Sequence, residues 1–140
     1  MLELSDTGVV MPASAIRTRA YNRTRQAYLA TDLEVADTHW SRLRGLMGTD
    51  ASNFPAGKGL WIVPCRGVHT LGMRFPIDVV YLNGDRVIVH IQEQLRPWRL
   101  AALRLNAATV LELPSSVVRQ TGTIVGDKID IEFGKDQVRA

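Results

Sequence analysis

In two segments of this sequence, apolar and polar side chains alternate. The first segment is 27–36, where apolar Leu33 is followed by charged Glu34. The second is 128–133, where apolar Ile129 lies between two charged residues. Since successive side chains of a strand point to opposite faces, this period of two predicts a half-buried strand in each segment.

Two further apolar runs, 77–82 and 86–91, flank the dipeptide Asn83-Gly84. Both runs are rich in valine and isoleucine, whose branched side chains suit a pleated sheet. Asn-Gly between such runs is a strong signal for a β-hairpin, because both residues tolerate the positive φ of a type I′ turn. We therefore predict a hairpin with a two-residue loop.

Asp78 interrupts the first of these runs, and the hairpin register decides which residue it faces. A two-residue loop places Asp78 opposite Val89, whereas a loop that includes Asp85 places it opposite His90. The sequence leaves both registers open. In either register, a carboxyl group among apolar neighbours lies at the open end of the strand or is buried with a partner.

Two short helices are predicted. The first follows Asp37 or Thr38, either of which can cap it, and ends at Gly48, which suits the left-handed conformation beyond a helix. The second covers 115–120, with serine N-capping at its start and Gly122 at its end. The apolar stripe of the first helix consists of Trp40, Leu43 and Met47.

Short strands at 59–63 and 109–113 bring the expected number to five or six, with no long helices between them. This order argues against a doubly wound parallel sheet. We predict a mainly β (α+β) domain, either a small bent antiparallel sheet or a barrel-like domain, with the two short helices covering its ends. The domain is expected to span 26–134, after a flexible arginine-rich arm at 1–25 and before a frayed tail at 135–140.

The composition is that of an ordinary globular chain of 140 residues, with 46% hydrophobic and 22% charged side chains. The net charge is +3, and four arginines are concentrated in the arm, where solvation explains them. Because the remaining charge is dispersed and forms no basic face, nucleic acid is not an expected partner. The arginines of the arm are Arg17, Arg19, Arg23 and Arg25.

Cys65 is the single cysteine, which excludes an internal disulfide and a cysteine-based zinc site. No apolar run reaches the length of about 18 residues that a transmembrane helix needs, so we expect no membrane partner. The N-terminus lacks the continuous apolar core of a secretory signal, and a cytoplasmic protein is the expectation.

Five motifs then resemble one family when they are read in order. They are R-x-x-GLMG at 42–48, VHTLGMRFPIDVVYL at 68–82, PWR at 97–99, VLELP at 110–114 and G-x-x-x-GD at 122–127. The chain resembles the domain-of-unknown-function 192 family of small bacterial and archaeal proteins, in the branch with Val-His-Thr at 68–70. The resemblance covers about residues 27–133 and implies a β-rich single domain without an established activity.

Two features depart from the family pattern. Ser115-Ser116 stand where members often carry a small residue and glycine, and the hairpin loop is shorter than the Asp/Gly-containing loop of the family. Neither departure changes the expected fold.

Cys65 and His69, four residues apart in the long connection 65–76, are the candidate catalytic residues. A neighbouring imidazolium lowers the pKa of a thiol and so produces a good nucleophile. The competing interpretation is that Cys65 is a small buried hydrophobe, because cysteine is among the most buried residue types.

A polar cluster at the floor of a pocket is the candidate ligand-binding site. Asp78 and Glu112 interrupt apolar strands, and Arg74 is placed to pair with either carboxyl group. His69 could lie above them, and Trp98 is the best candidate for an exposed aromatic contact. The competing interpretation of the carboxyl groups is a buried ion pair that stabilises the fold.

A metal site would need three ligands among four candidates, none of which have the helical spacing that marks a strong site. We therefore predict no metal and no cofactor. The four candidates are His69, Asp78, His90 and Glu112.

The expected function is binding of a small ligand or a protein partner by a non-enzymatic domain, through the loop at 65–78. The chain lacks a glycine-rich phosphate loop and a paired-carboxylate motif, which favours binding over catalysis. The alternative is a small thiol-dependent hydrolase or transferase that uses Cys65 and His69. A third possibility is an interaction module that docks through the arm at 1–25.

Overall fold

A computed structural model describes residues 2–4, 10–12, 17–38, 41–42, 45–101 and 103–134. Within these residues the chain is mainly β, as predicted. The strands are β1 (Leu2–Leu4), β2 (Val10–Pro12), β3 (Arg19–Asn22), β4 (Ala27–Ala30), β5 (Asp32–Ala36), β6 (Lys58–Ile62), β7 (Ile77–Leu82), β8 (Ile88–Leu95), β9 (Thr109–Pro114) and β10 (Ile129–Glu132). Helix α1 covers Val117–Thr121, and a 3-10 turn covers Ala51–Asn53.

The main sheet has five strands in the order β5-β6-β9-β7-β8. All six residues of β7 are buried, because neighbouring strands flank it and side chains pack on both faces of the sheet. The β5–β6 pair is parallel, whereas β6–β9, β9–β7 and β7–β8 are antiparallel. The expectation of a mainly antiparallel sheet is therefore confirmed, with one parallel pair at the β5 edge.

A second sheet has three strands in the order β10-β3-β4, and β1 pairs with β2 in a separate ribbon. Eight strands, β3 to β10, thus form two sheets, which are not closed into a barrel within the described residues. The barrel-like alternative is not the architecture found. The single alternating segment at 27–36 is split at Thr31, because β4 joins the small sheet and β5 the large one.

Strand β3 lies inside the segment that the sequence suggested was a flexible arm. Three arginines in and just after β3 pair with acidic side chains near the other end of the chain. Arg23 makes a two-pronged contact with Asp130, at 2.9 and 2.7 Å. Arg25 lies 3.0 Å from Asp127, and Arg19 lies 3.1 Å from Glu132. Most of residues 1–16 and all of the expected tail at 135–140 lie outside the described residues.

The two faces of the main sheet bury different hydrophobic clusters. Val80, Leu111 and Leu113 belong to the first cluster, which fills the space toward the small sheet and α1. Val79, Tyr81 and Val110 belong to the second, which lies beneath the loops on the other face. Because successive side chains of β7 and β9 point to opposite faces, the main sheet has a hydrophobic core on each side.

The hairpin loop is not the predicted two-residue type I′ turn. Leu82 pairs with Ile88, and neither Asn83 nor Gly84 has positive φ, whereas Arg86 has φ +60°. The physical reason is the Asn83 side chain, whose Oδ1 accepts hydrogen bonds from the N–H groups of Asp85 and Val87, each at 3.0 Å. This local bonding stabilises a longer loop than two residues.

The register of this hairpin also differs from both alternatives for Asp78. Irregularities in the β7–β8 pairing bring Gln94, rather than Val89 or His90, to the Asp78 carboxyl group. Asp78 Oδ1 accepts a hydrogen bond from the Gln94 N–H at 2.9 Å. Gln94 itself has φ +50°, so the carboxyl group fixes an unusual backbone position.

The prediction that a serine side chain caps α1 is wrong. Ser116 has φ +79° and makes no side-chain capping bond, whereas Asp78 Oδ2 accepts a hydrogen bond from the Val118 N–H at 3.0 Å. A carboxyl group from a distant strand thus satisfies a donor that a local hydroxyl usually satisfies. The predicted end is confirmed, because Gly122 is left-handed at φ +68°.

The other predicted helix is shorter than its apolar stripe suggested. Thr38 caps it as expected, because Thr38 Oγ1 accepts the Ser41 N–H and Ser41 Oγ accepts the Thr38 N–H, each at 3.0 Å. Gly45 already has φ +49°, which ends the helix before Met47, and Met47 is exposed. Trp40 and Leu43 lie outside the described residues. Within the described residues, no helix combines the length and apolar character needed to cross a membrane.

Candidate functional site

A small cavity of about 40 Å³ opens between the loop after β6 and the segment around Leu46. Its apolar walls come from Leu46, Ile62, Val68 and Met73. Its polar lining comes from Arg42, Cys65, His69 and Glu112. Apolar walls with a few convergent polar groups are the usual composition of a ligand pocket.

Glu112 occupies the middle of β9, and its side chain lies on the face of the second cluster. It pairs directly with Val79 on one side and Leu60 on the other, both members of that cluster. Glu112 is only 2% exposed, and its Oε2 finds no hydrogen-bond partner in the part of the chain that the structure describes. Burial raises the pKa of Glu112 to about 8, so the carboxyl group is protonated at neutral pH.

His69 enters the cavity from a loop that is fixed by backbone pairing. It forms an isolated antiparallel bridge with Leu100, which anchors the middle of the long connection. Its Nδ1 is buried and has no hydrogen-bond partner among the described residues. Within the described part of the chain, Glu112 Oε2 and His69 Nδ1 are therefore both buried without a hydrogen-bond partner, which is uncommon in folded proteins.

Cys65 lies at the start of the same loop and is half-buried. Its Sγ donates a hydrogen bond to the Gly67 carbonyl oxygen at 2.9 Å, so the thiol proton points to the backbone. Burial raises the pKa of the Cys65 thiol, and the nearby Glu112 carboxyl adds to the rise. Cys65 and His69 thus share a cavity, but the electrostatics around the sulfur favour the thiol over the thiolate.

Three of the predicted ligand-binding residues lie away from this cavity. Asp78 is fully buried on the opposite face of the sheet, where its two oxygens accept backbone N–H groups. Arg74 pairs with Asp50 at 2.6 Å on the surface and with neither predicted carboxyl group. Trp98 is exposed, as expected, and does not line the cavity.

The fourth metal candidate, His90, is also remote from this arrangement. Its Nε2 lies 3.3 Å from Arg104 Nη2, and its ring packs against Tyr81 with centroids 5.2 Å apart. The described residues contain no group of three or more His, Cys, Asp or Glu side chains that could hold a metal ion.

The sequence interpretation missed Arg42 and Leu46 as members of the site. Arg42 Nη1 donates to the carbonyl oxygens of Asp37, at 2.9 Å, and Val63, at 3.3 Å, which ties the short helical segment to the end of β6. A signal was present, since both residues lie in the R-x-x-GLMG motif. The segment also borders a depression of about 180 Å³ on its other side, near Glu34.

The sequence comparison identifies the family. The family model DUF192, described as "Uncharacterized ACR", matches residues 20–131, and the chain belongs to this family. A UPF0127 protein of Thermococcus sibiricus is 29% identical over 121 residues, which are 83% of this chain and 76% of the relative. A UPF0127 protein of Pyrococcus furiosus is 27% identical over 114 residues, which are 78% of this chain and 94% of the relative.

Two solved structures share the fold. A protein of unknown function from Novosphingobium aromaticivorans superposes with a TM-score of 0.69 at 17% identity, covering 93% of this chain and 92% of that one. A putative transcription regulator from Sinorhizobium meliloti superposes with a TM-score of 0.70 at 23% identity, covering 82% of this chain and 92% of that one. Identities at this level establish the fold alone.

Three of the five motifs that carried the family resemblance converge on the cavity. The first, at 42–48, contributes Arg42 and Leu46, the second, at 68–82, contributes His69, and the VLELP motif contributes Glu112. Three segments that are far apart in sequence thus supply most of one lining.

Proposed function

We propose that this protein is a non-enzymatic binding domain for a small polar ligand whose uncharged head group enters the cavity at Glu112 and His69. The observation that carries the proposal is that Glu112 Oε2 and His69 Nδ1 are both buried, without partners among the described residues, and that both side chains line this one cavity. A buried polar group without a partner costs free energy, and a ligand that bonds to it recovers that cost.

The chemistry of the head group follows from the protonation of Glu112. A protonated carboxyl group donates one hydrogen bond and accepts others, so it complements a group that does both, such as a primary amide. Charged head groups are disfavoured because burying an unpaired charge costs free energy, and the Arg42 guanidinium is already bonded to two backbone carbonyls. A cavity of about 40 Å³ admits only a few heavy atoms, so the rest of the ligand lies outside it.

The thiol-enzyme alternative has less support. It needs a thiolate and a histidine in hydrogen-bond contact with it, whereas the Cys65 thiol donates to Gly67 and its pKa is raised by burial. The shared cavity keeps Cys65 and His69 close to the proposed ligand. With Cys65 held as a thiol, we expect Cys65 and His69 to contact the ligand and not to attack it.

The test is binding of acetamide, as the neutral probe, followed by the NMR shifts of backbone amides in the loop at 65–73. The parent protein and Glu112→Gln, which keeps a donor and an acceptor, should both bind acetamide. Glu112→Leu fills the same space without hydrogen bonds, and we expect its affinity to fall by about tenfold. Glu93→Gln, on an exposed part of β8, is the matched control.

Acetate and methylammonium distinguish the proposal from simple charge pairing. Both should bind more weakly than acetamide to the parent protein. Preferential binding of methylammonium would mean an ionised Glu112, and unchanged acetamide binding by Glu112→Leu would place the probe elsewhere. Either result contradicts the proposal.

A further inference from the structure

The connection between β8 and β9 exposes an unusual concentration of large apolar side chains. We refer to residues 96–105 as the apolar–basic loop. Trp98 is 65% exposed, and the exposed fractions of Leu100, Leu103 and Leu105 are 76%, 67% and 74%. Single exposed apolar residues are normal on protein surfaces, but four within eight consecutive residues mark an interaction surface.

The apolar–basic loop is held in place by the loop that forms the cavity wall. The N–H of Thr70 donates to the Arg99 carbonyl at 2.8 Å, and the N–H of Ala101 donates to the Val68 carbonyl at 2.9 Å. A third bond runs from the Arg104 N–H to the Arg66 carbonyl at 2.8 Å. These contacts show that the apolar side chains are presented by a paired backbone.

Trp98 adds a second, independent feature. Its φ is +60°, a conformation that bulky residues rarely adopt, and its N–H donates to the Thr70 carbonyl at 2.9 Å. The Thr70 hydroxyl, which is fully buried, further joins the loop by donating to the Arg96 carbonyl at 2.6 Å. An unfavourable backbone conformation that keeps a tryptophan in solvent is typical of a functional contact.

The charge of the loop is of one sign. Arg96, Arg99 and Arg104 are exposed and lie between the apolar side chains, and no acidic residue occurs anywhere in 94–111. Arginine on a short loop can extend its guanidinium to an anionic surface while its neighbours enter an apolar layer. The loop therefore matches a partner that is apolar beneath an anionic surface.

We propose that the apolar–basic loop docks this protein on an anionic lipid bilayer. Tryptophan and leucine favour the boundary between headgroups and acyl chains, and arginines are attracted to anionic headgroups. Each of the four apolar side chains is at least 65% exposed, which suits a deformable lipid layer better than a shaped protein partner. The expectation of no membrane partner considered only spanning segments, and a surface loop needs none.

Co-sedimentation of the full chain with vesicles tests this proposal. We expect binding to phosphatidylcholine vesicles that contain phosphatidylglycerol, weaker binding to phosphatidylcholine alone, and a decrease with added salt. The double variant Leu100→Ser/Leu103→Ser should bind at least about tenfold more weakly. Substituting Arg96, Arg99 and Arg104 by glutamine should weaken binding by about fivefold per arginine.

Two matched controls lie outside the loop. Ile124→Ser removes an apolar side chain that is 54% exposed, and Arg119→Gln removes an exposed arginine; neither should change vesicle binding. Leu103→Ser alone serves as a milder variant whose folding is checked by thermal unfolding. No binding of the parent to anionic vesicles would overturn the proposal. So would vesicle binding unchanged by the loop variants, or a concentration-dependent dimer that Leu103→Ser dissociates without any vesicle binding.

Discussion

Asp78 and Glu112 lie on adjacent strands of one sheet but on its opposite faces. Glu112 pairs directly with Val79, and Asp78 pairs directly with Leu113, so one residue of offset separates the two carboxyl groups. Because paired side chains share a face and neighbours along a strand do not, each group enters a different core. Asp78 accepts hydrogen bonds from the backbone N–H groups of Gln94 and Val118, whereas Glu112 lines the cavity.

The first prediction concerns this structural role of Asp78. Replacing it with asparagine leaves one oxygen and places an NH₂ group against a backbone N–H of Gln94 or Val118. We expect Asp78→Asn to lower the free energy of unfolding by about 2 kcal/mol. Urea unfolding measures the change, and Asp85→Asn in the exposed hairpin loop is the control. A loss no larger than that of the control would mean that Asp78 does not brace these backbone groups.

The second prediction concerns the pH dependence of stability. Burial raises the pKa of Glu112 from 4.5 to about 8 in the folded chain. Between these values the folded protein keeps a proton that the unfolded chain has released. The stability that Glu112 gains from this proton is therefore fully present below pH 4.5 and is lost as the pH rises to about 8. Between these two pH values, the free energy of unfolding should fall by up to about 1.4 kcal/mol per pH unit.

Glu112→Gln isolates this effect, because glutamine does not titrate. Urea unfolding across the same pH range should give a stability that falls with pH in the parent and falls much less in the variant. Glu93→Gln should behave like the parent. Equal slopes for the parent and Glu112→Gln would show that Glu112 ionises normally.

The third prediction concerns Cys65. Since burial raises its pKa and its thiol donates to Gly67, alkylation by iodoacetamide should be slow at neutral pH. The rate should rise with pH to a midpoint that lies above 9.0, the ordinary pKa of a thiol. His69→Ala should leave the profile unchanged. Rapid alkylation at neutral pH that His69→Ala abolishes would instead support the thiol enzyme.

The fourth prediction concerns the start of the domain. Asn22 on β3 is fully buried, and its Nδ2 donates to Thr123 Oγ1 and Asp127 Oδ2, each at 3.0 Å. Asn22→Ala leaves Asp127 with fewer partners, so we expect it to lower the free energy of unfolding by about 2 kcal/mol. Asn53→Ala, on the exposed 3-10 turn, is the control.

Deleting residues 1–25 is a more severe test of whether the folded domain begins before residue 26. It removes β3 from the middle of the small sheet and leaves the two flanking strands without a partner. We therefore expect the truncated chain to lose its cooperative unfolding transition. A truncated chain that unfolds like the parent would support the flexible arm that the sequence suggested.

The sequence predicted those features that depend on periodicity. The alternation around Leu33 and Ile129 corresponds to β5 and β10, and the apolar run at 77–82 matches β7. It failed where a side-chain hydrogen bond replaced the cap or the turn that the local sequence favoured. The Ser116 cap was replaced by Asp78, and the type I′ turn by bonding to the Asn83 side chain.

The candidate site was predicted in part. His69, Cys65 and Glu112 were chosen because they were titratable or nucleophilic groups in apolar or loop surroundings, and the structure brings all three to one cavity. Asp78 was also chosen but lies on the opposite face of the sheet, because sequence order does not fix which face a residue occupies until its register is known. Arg74, in the loop before β7, instead pairs with Asp50 on the surface.

An NMR titration of Glu112 decides whether it is a neutral carboxyl group at the cavity. The side-chain carboxyl carbon is followed with pH in the parent protein, with Glu112→Gln used to assign its signal. We predict a midpoint at about 8. A midpoint near 4.5 would show that water or a partner stabilises the ionised group, and the proposed recognition of an uncharged head group would lose its basis.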